Sequence, residues 1–267
     1  FEESGIDVYA SENEEEYDEG ACKIFDAFDA NWQQYQTWNN LIPGTYTVEE
    51  FFPGSDGDKW TVTIDHPSIA VPVSGAQAEV MVTNTLKPGS LKVTKNVDWI
   101  GAVKDEAKTF QICITGPAHL TTGDPGYLED DCKEAGYDGG ELVWNDLVPG
   151  EYTISETDPG SEWTVNITGS PATVDANKQA TATVDNTLLP GSLKVTKNVD
   201  WSGAAPDMAK TFEICITGPS HLASVGGEGY LEKDCQYADW DGEVLEWTGL
   251  VPGEYTITET DPGSEWE

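Results

Sequence analysis

The sequence has no arginine and only 13 lysines to set against 49 aspartates and glutamates, a formal charge of −36. So acidic a chain repels nucleic acid and anionic membrane, because both are bound through basic side chains. No long apolar run is present, so nothing in these residues reads as a membrane-inserted segment. Histidines number three, and no CxxC or Cys/His cluster accompanies them, which argues against zinc. Phosphate-binding loops and a Ser-His-Asp arrangement are also missing, and the chain is read as a non-enzyme without a cofactor. Calcium is the one ion with any candidate ligands: Asp56 and Asp58, and the acidic run 129–131. Neither set has EF-hand spacing.

What the chain does have is repetition. The stretch PGSLKVTKNVDW at 88–99 returns unchanged at 190–201, an offset of 102 residues (190 − 88). Cys113 and Cys215 keep that offset, as do Asn84 and Asn186. Beyond the second cysteine it becomes 103, from Cys132 to Cys235 and from Trp163 to Trp266. One residue has therefore been inserted between the cysteines, and insertions of that kind mark exposed connections. A diverged copy comes first: LIPGTYTVEE at 41–50 matches LVPGEYTISE at 147–156, and Cys22 matches Cys132. That copy lacks a KVTK strand and a first cysteine. The expected organisation is a partial repeat at 1–86 without its front strands, a complete repeat at 87–188, and a partial repeat at 189–267 without its last strands. The period is too long for a solenoid and suits one small domain per repeat.

The five cysteines predict disulfides Cys113–Cys132 and Cys215–Cys235 across an exposed loop, with the partner of Cys22 lying before residue 1. Disulfides imply an extracellular or cell-surface setting. Asn166 heads a glycosylation sequon with Thr168.

Short Val/Ile/Thr/Tyr-rich runs separated by Gly, Pro and Asp predict an all-β chain. In the complete repeat the expected strands are 90–99, 109–116, 141–146, 151–157, 162–168 and 179–187. Together they suit a small β-sandwich. Residues 22–40 carry a faint helical spacing of aromatics and read as a short helix or a decorated loop. Alternation along the first strand puts Leu91, Val93, Lys95, Val97 and Trp99 on one face. The same rule puts Glu156 beside Tyr152 and Ile154, and Asn186 beside Val184. A lysine, a glutamate and an asparagine thus share an inward face, with counterparts Glu50 and Asn84 in the first copy and Lys197 and Glu259 in the third. Buried charges are costly unless paired, so a satisfied salt bridge is one reading. Chemistry is the other. A desolvated lysine is a neutral nucleophile, and its attack on the asparagine amide releases ammonia and leaves an isopeptide crosslink.

GSLKVTK, LVPGEYTISET and VDNT, in that order, resemble the prealbumin-like, collagen-adhesin B-type (Cna-B-like) repeats of microbial surface proteins and pilins. The resemblance spans the complete repeat and recurs in both partial ones. It implies Ig-like or prealbumin-like β-sandwich domains in a rod, and a surface stalk or pilus-like fibre. It further implies a Lys–Asn isopeptide bond at Lys95 and Asn186 with Glu156 as helper. Some members of the family carry the reactive lysine where Lys92 stands. The function expected is a structural element of an extracellular filament, whose partners are neighbouring repeats or further copies. The alternative is an adhesin whose loops bind a glycan or protein, for which Trp99, Trp144 and Trp163 would be the platform if they were exposed. Core packing is the favoured reading of those tryptophans. His119 and His221, repeat-equivalent in Gly-Pro-x-His-Leu, are expected to be loop or rim residues.

Overall fold

The structure is a computed structural model that describes residues 4–10, 23–25, 35–52, 56–222 and 229–266. It is all-β. The first strands are β1 (Ser4–Ala10), β2 (Lys23–Phe25), β3 (Gly44–Phe51), β4 (Trp60–Ile64), β5 (Ser68–Val71) and β6 (Val82–Leu86). Then come β7 (Gly89–Asp98), β8 (Thr109–Gly116), β9 (Leu128–Gly136), β10 (Gly140–Leu147), β11 (Gly150–Glu156), β12 (Trp163–Thr168), β13 (Ala172–Val174) and β14 (Gln179–Leu188). The last are β15 (Gly191–Lys197), β16 (Thr211–Gly218), β17 (Leu231–Asp239), β18 (Glu243–Leu250) and β19 (Thr256–Glu259).

The central strands make two four-stranded sheets, ordered β10-β7-β14-β12 and β13-β11-β8-β9. Their inner faces share one core that includes Leu91, Val93 and Val184 from the first sheet and Ile112, Ile114, Tyr152 and Ile154 from the second. Each such side chain contributes roughly 1.5–3 kcal/mol on burial, and these contacts make the pair of sheets a sandwich. Most pairing is antiparallel, but β14 runs parallel to β7, with Val184 opposite Lys95 and Asn186 opposite Val97. A second cluster of Trp99, Phe110 and Trp163 closes one end of the core, with the ring of Trp163 edge-on to both others. All three tryptophans of this repeat are buried (Trp99, Trp144 and Trp163), so none offers an open platform.

The flanking strands repeat parts of this plan. The sheet β2-β1-β3-β5 corresponds to β9-β8-β11-β13, and the pair β4-β6 to β12-β14. The pair β15-β18 corresponds to β7-β10, and β17-β16-β19 to β9-β8-β11. One small device recurs in all three copies. The tyrosine after the Pro-Gly turn donates to the carbonyl four residues earlier: Tyr46 to Ile42, Tyr152 to Val148 and Tyr255 to Val251. It ties the turn to the strand that leaves it.

The fold departs from the sequence pattern in several places. Residues 128–136 are not among the expected strands, but they form β9, paired along β8. Their acidic residues hide a strand, because charge on a solvent-facing edge is compatible with pairing. The first copy does have a counterpart of β8. Ile6 pairs with Glu50 and Lys23 as Ile112 pairs with Glu156 and Lys133. The position equivalent to Cys113 is therefore occupied by Asp7, not by a residue before the chain. Cys22 itself lies outside the described residues. Within the expected helix or decorated loop at 22–40, residues 23–25 are strand and 35–40 have no regular structure; the remainder lies outside the described residues.

Candidate functional site

Lys95 stands at the middle of β7, flanked on both sides by neighbouring strands. Alternation turns it inward with Leu91 and Val93, and it is only 1% exposed. Its carbonyl faces the turn before β10. There Gly139 sits at φ +80°, and a Cβ at that position would lie 2.2 Å from the Lys95 oxygen. Only glycine allows that approach, and Gly242 repeats it against Lys197. Asn186, near the end of β14, is also 1% exposed. Glu156 ends β11 on the opposite sheet, and its side chain is 1% exposed.

These three side chains meet between the sheets. Lys95 Nζ lies 3.5 Å from Glu156 Oε1, and Asn186 Nδ2 donates to the same oxygen at 2.9 Å. Nζ also donates to the Asn96 and Val184 carbonyls at 3.2 and 3.4 Å. The Phe110 ring centroid lies 4.8 Å below it, a cation–π approach. Two polar atoms of this triad have no hydrogen-bond partner among the described residues, Glu156 Oε2 and Asn186 Oδ1. A carboxylic acid facing a carboxamide would join that pair of atoms. Burial pushes the Lys95 ammonium below its ordinary range, against the pull of Glu156. Burial likewise pushes the Glu156 carboxyl up, against Lys95 and the Asn186 amide. Both directions favour the neutral forms.

Lys92 lies on the other face of β7, part-exposed and paired with Glu141 at 2.8 Å. It is remote from the triad by the parity of the strand. The partial sets come together as far as their residues go. Asn84 Nδ2 donates to Glu50 Oε1 at 2.7 Å, and burial raises the Glu50 carboxyl. Lys197 lies 2.9 Å from Glu259 and over the Phe212 ring at 4.5 Å. Sequence reasoning did not single out Phe110 and Phe212 as the floor of the lysine site. Their signal was in the alternation Phe110, Ile112, Ile114 along β8.

Two disulfides are formed, Cys113–Cys132 and Cys215–Cys235. Each joins directly opposed residues of neighbouring strands, β8 with β9 and β16 with β17. As expected, each pair brackets the connection between its two strands, and the second cysteine is itself part of a strand. Asn166 is exposed on β12, the outer strand of its sheet, within the expected strand 162–168. Asp58 is exposed, and its carbonyl accepts from Lys87 Nζ; the Asp56 side chain lies outside the described part of the chain. Within the acidic run, Asp130 accepts from the Thr115 hydroxyl at 2.8 Å. Among the described residues, three metal-type ligand atoms converge at Glu213, Cys215 and Cys235, and those two sulfurs are bonded to each other.

No family model matches the chain, and no curated protein does. Among solved structures it is similar to the Bacillus anthracis TIE protein at 12% identity and a TM-score of 0.38. That likeness covers 97% of this chain and 46% of the other, so the chain spans under half of that protein's length. It is also similar to the major pilin from Streptococcus pyogenes, at 16% identity and a TM-score of 0.31 over 67% of this chain and 85% of that one. A third likeness is to the minor pilin of Streptococcus agalactiae, at 18% identity and a TM-score of 0.25 over 72% of this chain and 85% of that one. The sandwich is defined by its own sheet order and register, given above.

Proposed function

We propose that this chain is a length of an extracellular stalk or filament built from tandem β-sandwich repeats, and that the complete repeat is closed by an isopeptide bond between Lys95 and Asn186. The boundaries proposed for that repeat are 87–188, with partial repeats on either side. The carrying observation is the burial of Lys95, Glu156 and Asn186 around one carboxylate oxygen, with burial favouring the neutral nucleophile and the protonated acid.

In the proposed reaction the lone pair of neutral Lys95 Nζ attacks Cγ of Asn186. The Glu156 carboxyl polarises Oδ1, then relays a proton from Nζ to Nδ2. The Cγ–Nδ2 bond breaks, ammonia leaves, and an Nζ–Cγ amide remains. No oxidant or metal is consumed. The bond would join β7 to β14, which are adjacent and parallel. The first begins just after one inter-repeat connection and the second ends just before the next. Tension along the chain would enter one and leave by the other, and the bond would carry it past the rest of the sandwich. With its tryptophans buried, the repeat has lost the feature that favoured an adhesin.

Intact mass of the full chain tests the reaction. The expected result is a deficit of one ammonia, beyond the protons lost to the disulfides, that vanishes in Lys95→Ala. An undiminished mass, or a deficit that survives Lys95→Ala, refutes the crosslink.

A further inference from the structure

His221 reaches out of its own repeat. It lies in a short 3-10 turn (Ser220–Leu222) after β16, and its Nε2 is 2.9 Å from the carbonyl oxygen of Gly101, in the turn that follows β7. A carbonyl oxygen only accepts, so Nε2 is the protonated nitrogen. Both sides of this contact are built firmly. On the histidine side, a Cβ at Gly253 would lie 2.9 Å from His221 Nδ1 and 2.5 Å from Pro219 Cβ. The ring is therefore packed against the Pro-Gly turn that precedes β19. On the acceptor side, Asp98 Oδ1 takes the Ile100 N–H and the Trp99 carbonyl takes the Ala102 N–H, both at 2.8 Å. The Trp99 indole is anchored to the Tyr137 carbonyl at 2.9 Å.

Every part recurs one repeat away. A Cβ at Gly150 would lie 2.9 Å from His119 Nδ1 and 2.5 Å from Pro117 Cβ. The turn after β15 has the same hydrogen bonds, Ser202 to Asp200 and Ala204 to Trp201, and the same left-handed pair, Ser202 at φ 49° and Gly203 at φ 84°. Between the two histidines the surroundings differ. His221, against the preceding repeat, is half-buried, whereas His119 is exposed. The connection beside the contact is also tied down. Leu189 N–H bonds to the Glu162 carbonyl at 2.8 Å, as Lys87 N–H does to Lys59, so the first residues of each connection belong to the ladder of the repeat before.

We propose that the Gly-Pro-x-His-Leu segment of each repeat is a docking latch, and that its partner is the Asp-Trp-x-Gly turn of the repeat preceding it. Latch and connection together hold neighbouring repeats at two points, which removes free rotation about the Leu189–Pro190 step. The proposal rests on the tandem-repeat reading and is independent of the isopeptide bond.

Residual dipolar couplings on the full chain test it. In the wild type one alignment tensor is expected to fit both the strands of 89–188 and those of 191–259. In His221→Ala each group should keep its own internal fit while the two tensors diverge, and His221→Gln, which restores an N–H donor, should bring them back together. Long-range proton–nitrogen spectra of the neutral imidazole should show the Nε2–H tautomer. Separate tensors in the wild type, a single tensor in His221→Ala, or an Nδ1–H tautomer would each overturn the latch. The tautomer is read on the wild type and holds even if a variant fails to fold. The ammonia deficit should be unchanged in His221→Ala, so failure here is distinct from failure of the crosslink.

Discussion

A lysine in the middle of an apolar strand face is the residue on which the proposed chemistry turns. Removing Lys95 has two separable consequences. Lys95→Ala should restore the mass of one ammonia, and Glu156→Ala should do the same, whereas Lys92→Ala should leave the deficit intact. Mass spectrometry of the three variants checks this. Lys95→Ala also removes the tie between β7 and β14 and leaves a gap where the lysine stem was buried, and should register as a drop in the urea midpoint. Tyr152 supplies a pH test. Burial pushes its phenol from 10.0 up to about 12. The folded state thus favours the neutral phenol, so its stability is fully present below pH 10 and falls as pH rises through about 12. The whole loss across that window is on the order of 3 kcal/mol. Urea titrations from about pH 9 to about pH 11 should show the start of a decline that Tyr152→Phe reduces. That variant also loses the bond to the Val148 carbonyl, worth about 1 kcal/mol. The triad was legible in the sequence because period-two alternation assigns each of its members to a face. The choice of Lys95 over Lys92 followed from the same parity. What could not be read was the partner of each atom, since Glu156 comes from the opposite sheet.

At the scale of elements, the disulfides are ladder ties. Cys113–Cys132 fastens β9 to β8 across a sequence separation of 19 residues. The paired substitution Cys113→Ala with Cys132→Ala should cost about 3 kcal/mol in a denaturant titration. The loss should fall first on β9, the outer strand of its sheet, and amide exchange along 128–136 should show it. This strand was the main element that sequence reading missed. Its residues, LEDDCKEAG, carry four acidic side chains and no clean alternation. The backbone of β8 recruits it regardless, because the cysteine pair sets the register. β1 was missed for a related reason. It shares few residues with β8, and only its pairing with β2 and β3 shows the correspondence.

For the whole molecule, the mechanical prediction follows from where the strands lead. Between Lys95 and Asn186 lie about 91 residues of contour, which at ~3.5 Å each extend to roughly 320 Å. Single-molecule pulling under reducing conditions should show no such lengthening of the central repeat in the wild type, and should show it in Lys95→Ala. Wild-type release of that length would disprove a role for the bond in carrying tension. Scattering from the full chain should report an extended particle. A compact, flexible ensemble would count against the stalk. Charge, repeat period, strand-rich composition and the inward lysine are properties of the chain read alone, since each is set by local residue order or by simple counting. Which strands neighbour one another, the parallel pairing of β7 with β14, and the meeting of His221 with Gly101 were decided only by the tertiary structure. Such contacts join residues about 90 to 120 positions apart, and nothing in local periodicity encodes which distant edge a strand will find.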